Sequence, residues 1–67
     1  MKIILNGQIK EIDIVGAALH DLLRTLAIPT EATAVAVNND IIPRSTWNKK
    51  QVQENDSIEI IRAVGGG

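Results

Sequence analysis

"GAALHDLLRTLAIP", residues 16–29, is the one stretch of this chain with a clear helical period, and its solitude decides the fold. Leu19, Leu22, Leu23 and Leu26 recur at i, i+3, i+4 and i+7, so they form a single apolar stripe. His20, Asp21, Arg24 and Thr25 fall on or near the opposite face and are expected in solvent. Gly16 is an acceptable but weak N-terminal cap. Pro29 disfavours α geometry at Ile28 and cannot itself continue the helix, which sets the stop. The spacing predicts one helix over residues 16–27.

Both flanks read as strands. Upstream, residues 2–6 are mostly apolar, Asn6-Gly7 tolerates the two positive φ angles of a tight hairpin turn, and residues 8–14 return. In the return strand Ile12 and Ile14 share one face, and Glu11 and Asp13 share the other. Ile9 falls with the charged set and is expected at the sheet edge. Downstream, Val35 and Val37 alternate with Ala34 and Ala36, a turn follows at 38–40, and Pro43 must end a brief strand at 41–42. Residues 44–56, "RSTWNKKQVQEND", are polar, with Trp47 and Val52 as isolated apolar anchors, and are expected to form turns. Residues 57–64 alternate again, Ile58, Ile60, Arg62 and Val64 against Glu59, Ile61 and Ala63.

The order is therefore ββαββ with a closing strand. One helix covers only one face of a four- or five-stranded sheet, so the other face meets solvent or a partner. With Ile58 and Ile60 toward the helix, Ile61 lies on the uncovered face, and Ile4 joins it by the same parity. An α+β chain in this order, whose last strand runs into glycines, suggests the ubiquitin-like β-grasp layout. That layout is a mixed sheet of four to five strands under a single helix. Residues 1–64 then form the β-grasp domain, and 65–67 a flexible Gly-Gly-Gly tail.

Composition narrows the chemistry. Sixty-seven residues make one small domain, which buries only about 60% of its unfolded surface. No cysteine and a single histidine leave neither disulfides nor a zinc site to help. The core must hold the fold, and 45% hydrophobic residues with eleven isoleucines supply it. Without cysteine, a thiol nucleophile and a persulfide carried on a side chain are excluded. A net charge of −1 and one aromatic residue, Trp47, argue against nucleic-acid binding. No apolar run approaches the roughly 18 residues of a membrane span, and "MKIIL" is broken too early for a secretory signal. No membrane partner and a cytoplasmic location are expected. Neither a catalytic triad, a paired acid, a phosphate loop nor a metal cluster can be read, so a free-standing enzyme is not expected.

One group does stand out, at the end of "IRAVGGG", residues 61–67. A terminal carboxyl ordinarily ionises near about 3.3–3.7, so Gly67 presents an anionic nucleophile that needs no general base. Glycine has no Cβ, which lets such a tail thread a narrow channel. Extended, residues 65–67 reach roughly 10 Å. If the chain carries cargo covalently, the absence of cysteine leaves that carboxylate as the place to hold it.

Two motifs then point to a family. "AVAVNNDIIPRSTW", residues 34–47, resembles the Val-Asn-x-x-x-Val/Ile-Pro-Arg-x-x-Trp stretch of the small sulfur carriers of thiamine biosynthesis, the ThiS family. "ENDSIEIIRAVGGG", residues 54–67, resembles their Asp-x-Ile-x-Ile strand running into a terminal Gly-Gly. The resemblance spans the chain in length and element order. Three glycines stand where two are the minimum, and the N-terminal half matches only in pattern.

The resemblance implies a β-grasp protein that is a co-substrate of enzymes and not itself an enzyme. It implies that an E1-like adenylyltransferase of the ThiF type, using MgATP, adenylates the Gly67 carboxylate. Sulfur from a cysteine desulfurase would convert the adenylate to a thiocarboxylate, a 1-thioglycine at Gly67. A thiazole synthase of the ThiG type would receive that sulfur. No cofactor or metal is expected on the chain itself. Gly65 and Gly66 would thread into the partner, and Ile4, Ile61 and Arg62 are the candidate docking residues. Arg44 either caps loop carbonyls or pairs with a partner's acid, and Trp47 is expected to pin the polar loop to the sheet edge. Two other readings share the layout: the small subunit of molybdopterin synthase, and a non-carrier ubiquitin-like interaction module.

Overall fold

The computed structural model describes residues 1–14, 16–31 and 33–62. Five strands and one helix follow in the order β1 (Lys2–Leu5), β2 (Gln8–Glu11), α1 (Leu19–Thr25), β3 (Thr33–Val37), β4 (Asp40–Ile41) and β5 (Ser57–Arg62). A single 3-10 turn, Arg44–Thr46, interrupts the polar loop before β5. The sheet order is β2-β1-β5-β3-β4, with β1 and β5 parallel at the centre and the remaining pairs antiparallel. β1 with β2 and β3 with β4 pair through tight turns, while the parallel pair brings the first and last strands together.

Both hairpins turn on asparagine. Asn6 and Gly7 sit at φ 49° and 81°, and Asn38 and Asn39 at 51° and 72°. Two successive positive φ angles match the right-handed twist of the flanking strands, and asparagine tolerates them better than other side chains bearing a Cβ. Ile3, Val35, Val37 and Ile58 then point inward and meet Leu19, Leu22 and Leu23 of α1, with Ile12, Trp47 and Val52 closing the cluster. The apolar stripe of the helix is thus spent on one face of the sheet, as the sequence predicts.

The helix is shorter than its spacing predicts, seven residues instead of twelve over 16–27. Gly16 takes φ 68° and lies outside it, and the capping position falls to Ala18, whose side chain makes no cap. The loop before β5 supplies the missing acceptors. The Leu19 N–H donates to the Lys50 carbonyl at 2.7 Å and the His20 N–H to the Trp47 carbonyl at 3.0 Å. Ala17 returns the contact by accepting from Val52 N–H at 3.0 Å. A tertiary loop has replaced the side-chain cap, which no local sequence signal announces. At the other end Ala27 adopts φ 56°. There the Ile28 N–H bonds to the Leu23 carbonyl and the Ala27 N–H to that of Arg24, both at 3.0 Å, the Schellman pattern with alanine in the glycine position.

Other boundaries shift less. The return strand of the first hairpin ends at Glu11 and not at residue 14, although Ile12 stays buried and its N–H reaches the Met1 carbonyl at 2.8 Å. β4 begins one residue earlier than expected. The final strand is described to Arg62; its expected last residues, 63 and 64, and the tail 65–67 lie outside the described residues. No helix among the described residues is long and apolar enough to cross a membrane.

Candidate functional site

The face of the sheet turned away from α1 is built by strand parity. Ile3 is fully buried, so Ile4 points the other way, and its antiparallel partner Ile9 shares that side. On β5 the same face carries Ser57, Glu59 and Ile61. Ala34 lies opposite Ile61, Ala36 opposite Glu59, and Ile41 opposite Ala36. The three large apolar side chains most exposed among the described residues, Ile9 at 70%, Ile41 at 61% and Ile61 at 47%, all belong to this one face. Singly exposed isoleucines need no explanation, but three on one uncovered face form a surface suited to a partner.

These residues form steps and not one contiguous patch. The register sets Ile4 beside Ser57, four residues before Ile61 on β5, so the two are roughly 13 Å apart along the strand at about 3.3 Å per residue. Between those levels lie Glu59, Ala36 and Ile41. The steps run from the first hairpin toward the end of β5 from which the tail departs. Arg62, opposite Thr33, has the parity of Ile58 and Ile60, so the fold brings Ile4 and Ile61 to one face and Arg62 to the other. Arg62 is exposed at the strand end. Gly65, Gly66 and Gly67 lie outside the described residues.

The sequence puts Ile9 at the sheet edge and does not mark Ile41 as a surface residue. Ile9 does sit on edge strand β2, but its side chain is among the most exposed apolar groups. The signal was available: an isoleucine out of phase with its strand's buried set must face outward. Ile41 required the β3–β4 register, which a two-residue strand does not reveal.

The motif residues are clamped at the two ends of β3, Arg44 toward Thr33 with Trp47 beneath it, and Asn38 beyond Val37. The Arg44 guanidinium donates to the Thr30 carbonyl and, at 3.3 Å, to that of Thr33, and it lies over the Trp47 ring, 4.6 Å from the centroid. That decides between its two sequence readings in favour of capping the loop. Trp47 is buried and its indole N–H donates to the Ile42 carbonyl at 2.9 Å, pinning the loop to the strand end as expected. Asn38 donates its amide N–H to Asp56 Oδ1 at 3.0 Å, while its Oδ1 accepts from Ser57 N–H at 2.9 Å. Asp56 Oδ2 in turn accepts from Gln53 N–H at 2.8 Å. The two motifs far apart in sequence are therefore bonded to each other. His20 is exposed on the helix. Among the described residues no three metal-ligating side chains converge.

A five-stranded mixed sheet under one helix, with its last strand leading to the chain's end, is the ubiquitin-like β-grasp fold. The chain superposes on the crystal structure of the thiamine biosynthesis protein (ThiS) of Geobacter metallireducens with a TM-score of 0.90 at 25% identity, each chain covered completely. The solution structure of a thiamine biosynthesis protein from that organism gives 0.82, covering all of this chain and 88% of that one. The model of the ThiS family matches residues 3–67, and the chain belongs to that family. It is 33% identical to the sulfur carrier protein ThiS of Escherichia coli over the full length of both. It is also 37% identical, over all 67 residues, to part of a thiazole synthase from Magnetococcus marinus, of whose length it spans 20%.

Proposed function

We propose that this chain is a sulfur carrier of thiamine biosynthesis and that the Gly67 carboxylate is the group that carries. The observation that bears most weight is the family match, which runs to residue 67 and so takes in the glycines as well as the folded domain. The full-length likeness to the E. coli sulfur carrier supports the same reading. In the chemistry proposed, the carboxylate oxygen of Gly67 attacks the α-phosphorus of ATP and pyrophosphate leaves, giving an acyl-adenylate. A persulfide sulfur then attacks the carbonyl and AMP departs, leaving an acyl disulfide; a second cysteine thiolate of the partner attacks the sulfur remote from the carbonyl, forming a disulfide with it and releasing the thiocarboxylate. An E1-like adenylating enzyme supplies the phosphate clamp and Mg²⁺, and a cysteine desulfurase supplies the sulfur. Gly65 and Gly66 thread the partner's channel, where a side chain would collide.

Thiazole synthase is the proposed acceptor. A stretch similar to this whole chain forms a fifth of the Magnetococcus thiazole synthase, which supports a carrier of this kind working beside that enzyme. Docking uses the outer face through Ile4 and Ile61, joined by Ile9 and Ile41, with Arg62 flanking the tail from the other side. The work takes place in the cytoplasm. Intact-mass analysis tests the assignment: incubation with the adenylating enzyme, MgATP and a persulfide donor yields first an adenylate, then a species in which sulfur has replaced one oxygen of Gly67. A mass that stays constant while the enzyme demonstrably binds would remove the carrier reading.

A further inference from the structure

The central parallel pairing is short. β1 meets β5 only at Ile4–Leu5 against Ser57–Ile58, whereas β3 follows β5 from Ile58 to Arg62. Past Ile58, no described strand flanks β5 on its β1 side. Two hydrogen bonds from one residue bridge the gap. The Asn6 N–H donates to the Ile58 carbonyl at 2.9 Å, and Asn6 Oδ1 accepts from the Ile60 N–H at 2.9 Å. The side chain thus does what the next backbone carbonyl of β1 would do if the strand had not turned.

The turn does not require this. Glycine and aspartate also serve at φ 49°, so the hairpin explains a positive-φ residue at position 6 but not the bond its side chain makes. The bond to Ile60 uses the amide oxygen and acts on another element, seven residues before the chain's last carboxylate. β3 holds the other edge of β5 as far as Arg62, so the Asn6 bond completes the pairing of Ile60 on both edges, just before the tail.

We propose that Asn6 is a positioning residue for the tail, an amide latch that extends the β1–β5 ladder and holds the strand end in line for delivery to a partner's active site. The inference rests on the carrier reading, because only a tail that must enter another protein gains from a fixed origin. A strand end that wanders must be ordered when the tail enters its channel, and the ordering is subtracted from binding. The latch performs that ordering beforehand. It acts on binding and leaves the reaction at Gly67 unchanged, so its loss raises KM and spares kcat.

Asn6→Gly isolates the latch, since glycine keeps the turn and the backbone N–H to Ile58 but removes the oxygen. Asn6→Asp keeps an acceptor at the same reach and serves as the conservative rescue. Three measurements are made on the full chain: amide hydrogen exchange at Ile60, thermal unfolding, and the kinetics of Gly67 adenylation by the E1-like enzyme. In Asn6→Gly the Ile60 amide loses protection and KM rises about two- to tenfold, the worth of one hydrogen bond. Its kcat stays level at a temperature well below melting, and Asn6→Asp restores both. Unchanged KM in an adenylated Asn6→Gly protein would overturn the latch and leave the carrier reading standing. A wild-type chain that is never adenylated would remove the carrier reading and the positioning role with it.

Discussion

Two regions of this small domain divide its labour. At one corner Arg44 and Trp47, and at the other end of β3 Asn38 and Asp56, are bonded to backbone, to each other or to both, and Trp47 is buried. Across the sheet, Ile9, Ile41 and Ile61 stand largely in water, where folding gains little from them. Three of the residues that make the family recognisable, Asn38, Arg44 and Trp47, belong to these clamps. Their task is to close a 67-residue fold that has no cysteine to form a disulfide. The lesson is that a motif can identify a function while its own residues serve stability, and the function lies on the plain surface and tail that the motif holds in place.

The sharpest way to break this division is Trp47→Ala. The indole is buried, stacks beneath Arg44 and donates to Ile42, and its backbone carbonyl accepts from the first turn of α1. Removing a buried aromatic side chain costs about 3–5 kcal/mol. Native proteins hold only about 5–15 kcal/mol in total, so a large share of the stability is lost. Urea unfolding reads this as a midpoint shifted far downward. If the protein kept its midpoint yet lost partner binding, the corner would be a docking site and the comparison would invert.

What the sequence disclosed follows the same line. The leucine stripe and both hairpin turns depend on contacts within a few residues, and they were legible in Leu19, Leu22, Leu23, Asn6 and Gly7. Burial of Trp47 and Val52 was legible as apolar residues in a polar run. The start of α1 was not, because its acceptors come from Trp47 and Lys50, about thirty residues away in sequence. Nor was the Asn38–Asp56 bond, since nothing in either segment specifies the other's register. At the candidate site, Ile4 and Ile61 followed from parity alone. Ile41 and the Asn6 side chain did not, because each depends on which strand lies alongside.

The outer face yields a smaller effect of the opposite kind. Ile61 is about half exposed, so Ile61→Lys alters stability by under about 1 kcal/mol, the span of β-propensity. Docking would bury what remains of an isoleucine, whose full burial is worth about 1.5–3 kcal/mol. Affinity for thiazole synthase or the adenylating enzyme should therefore fall about tenfold, close to 1.4 kcal/mol. Titration calorimetry against each enzyme separates the two. Loss with one partner alone would divide the steps of the face between them, and loss with neither would confine recognition to the tail.

The smallest change should strengthen the fold and leave function untouched. Ala27 closes α1 at φ 56°, where a Cβ crowds the following carbonyl at a cost of about 1–2 kcal/mol. The geometry around it is otherwise that of a glycine-ended helix, with both Schellman hydrogen bonds in place. Ala27→Gly relieves the crowding and surrenders some of the gain through the greater freedom of glycine in the unfolded chain. A net stabilisation of about 1 kcal/mol remains, which in a domain of this size raises Tm by about 4–8 °C. Ala27 is exposed and belongs to neither the outer face nor the tail, so KM for adenylation and affinity for thiazole synthase should not move. If they rose or fell with Tm, recognition would depend on overall stability, and the separation of clamped corner from docking face would be one of degree. A higher Tm with constant KM would show that the fold can be tightened independently of the surface it supports.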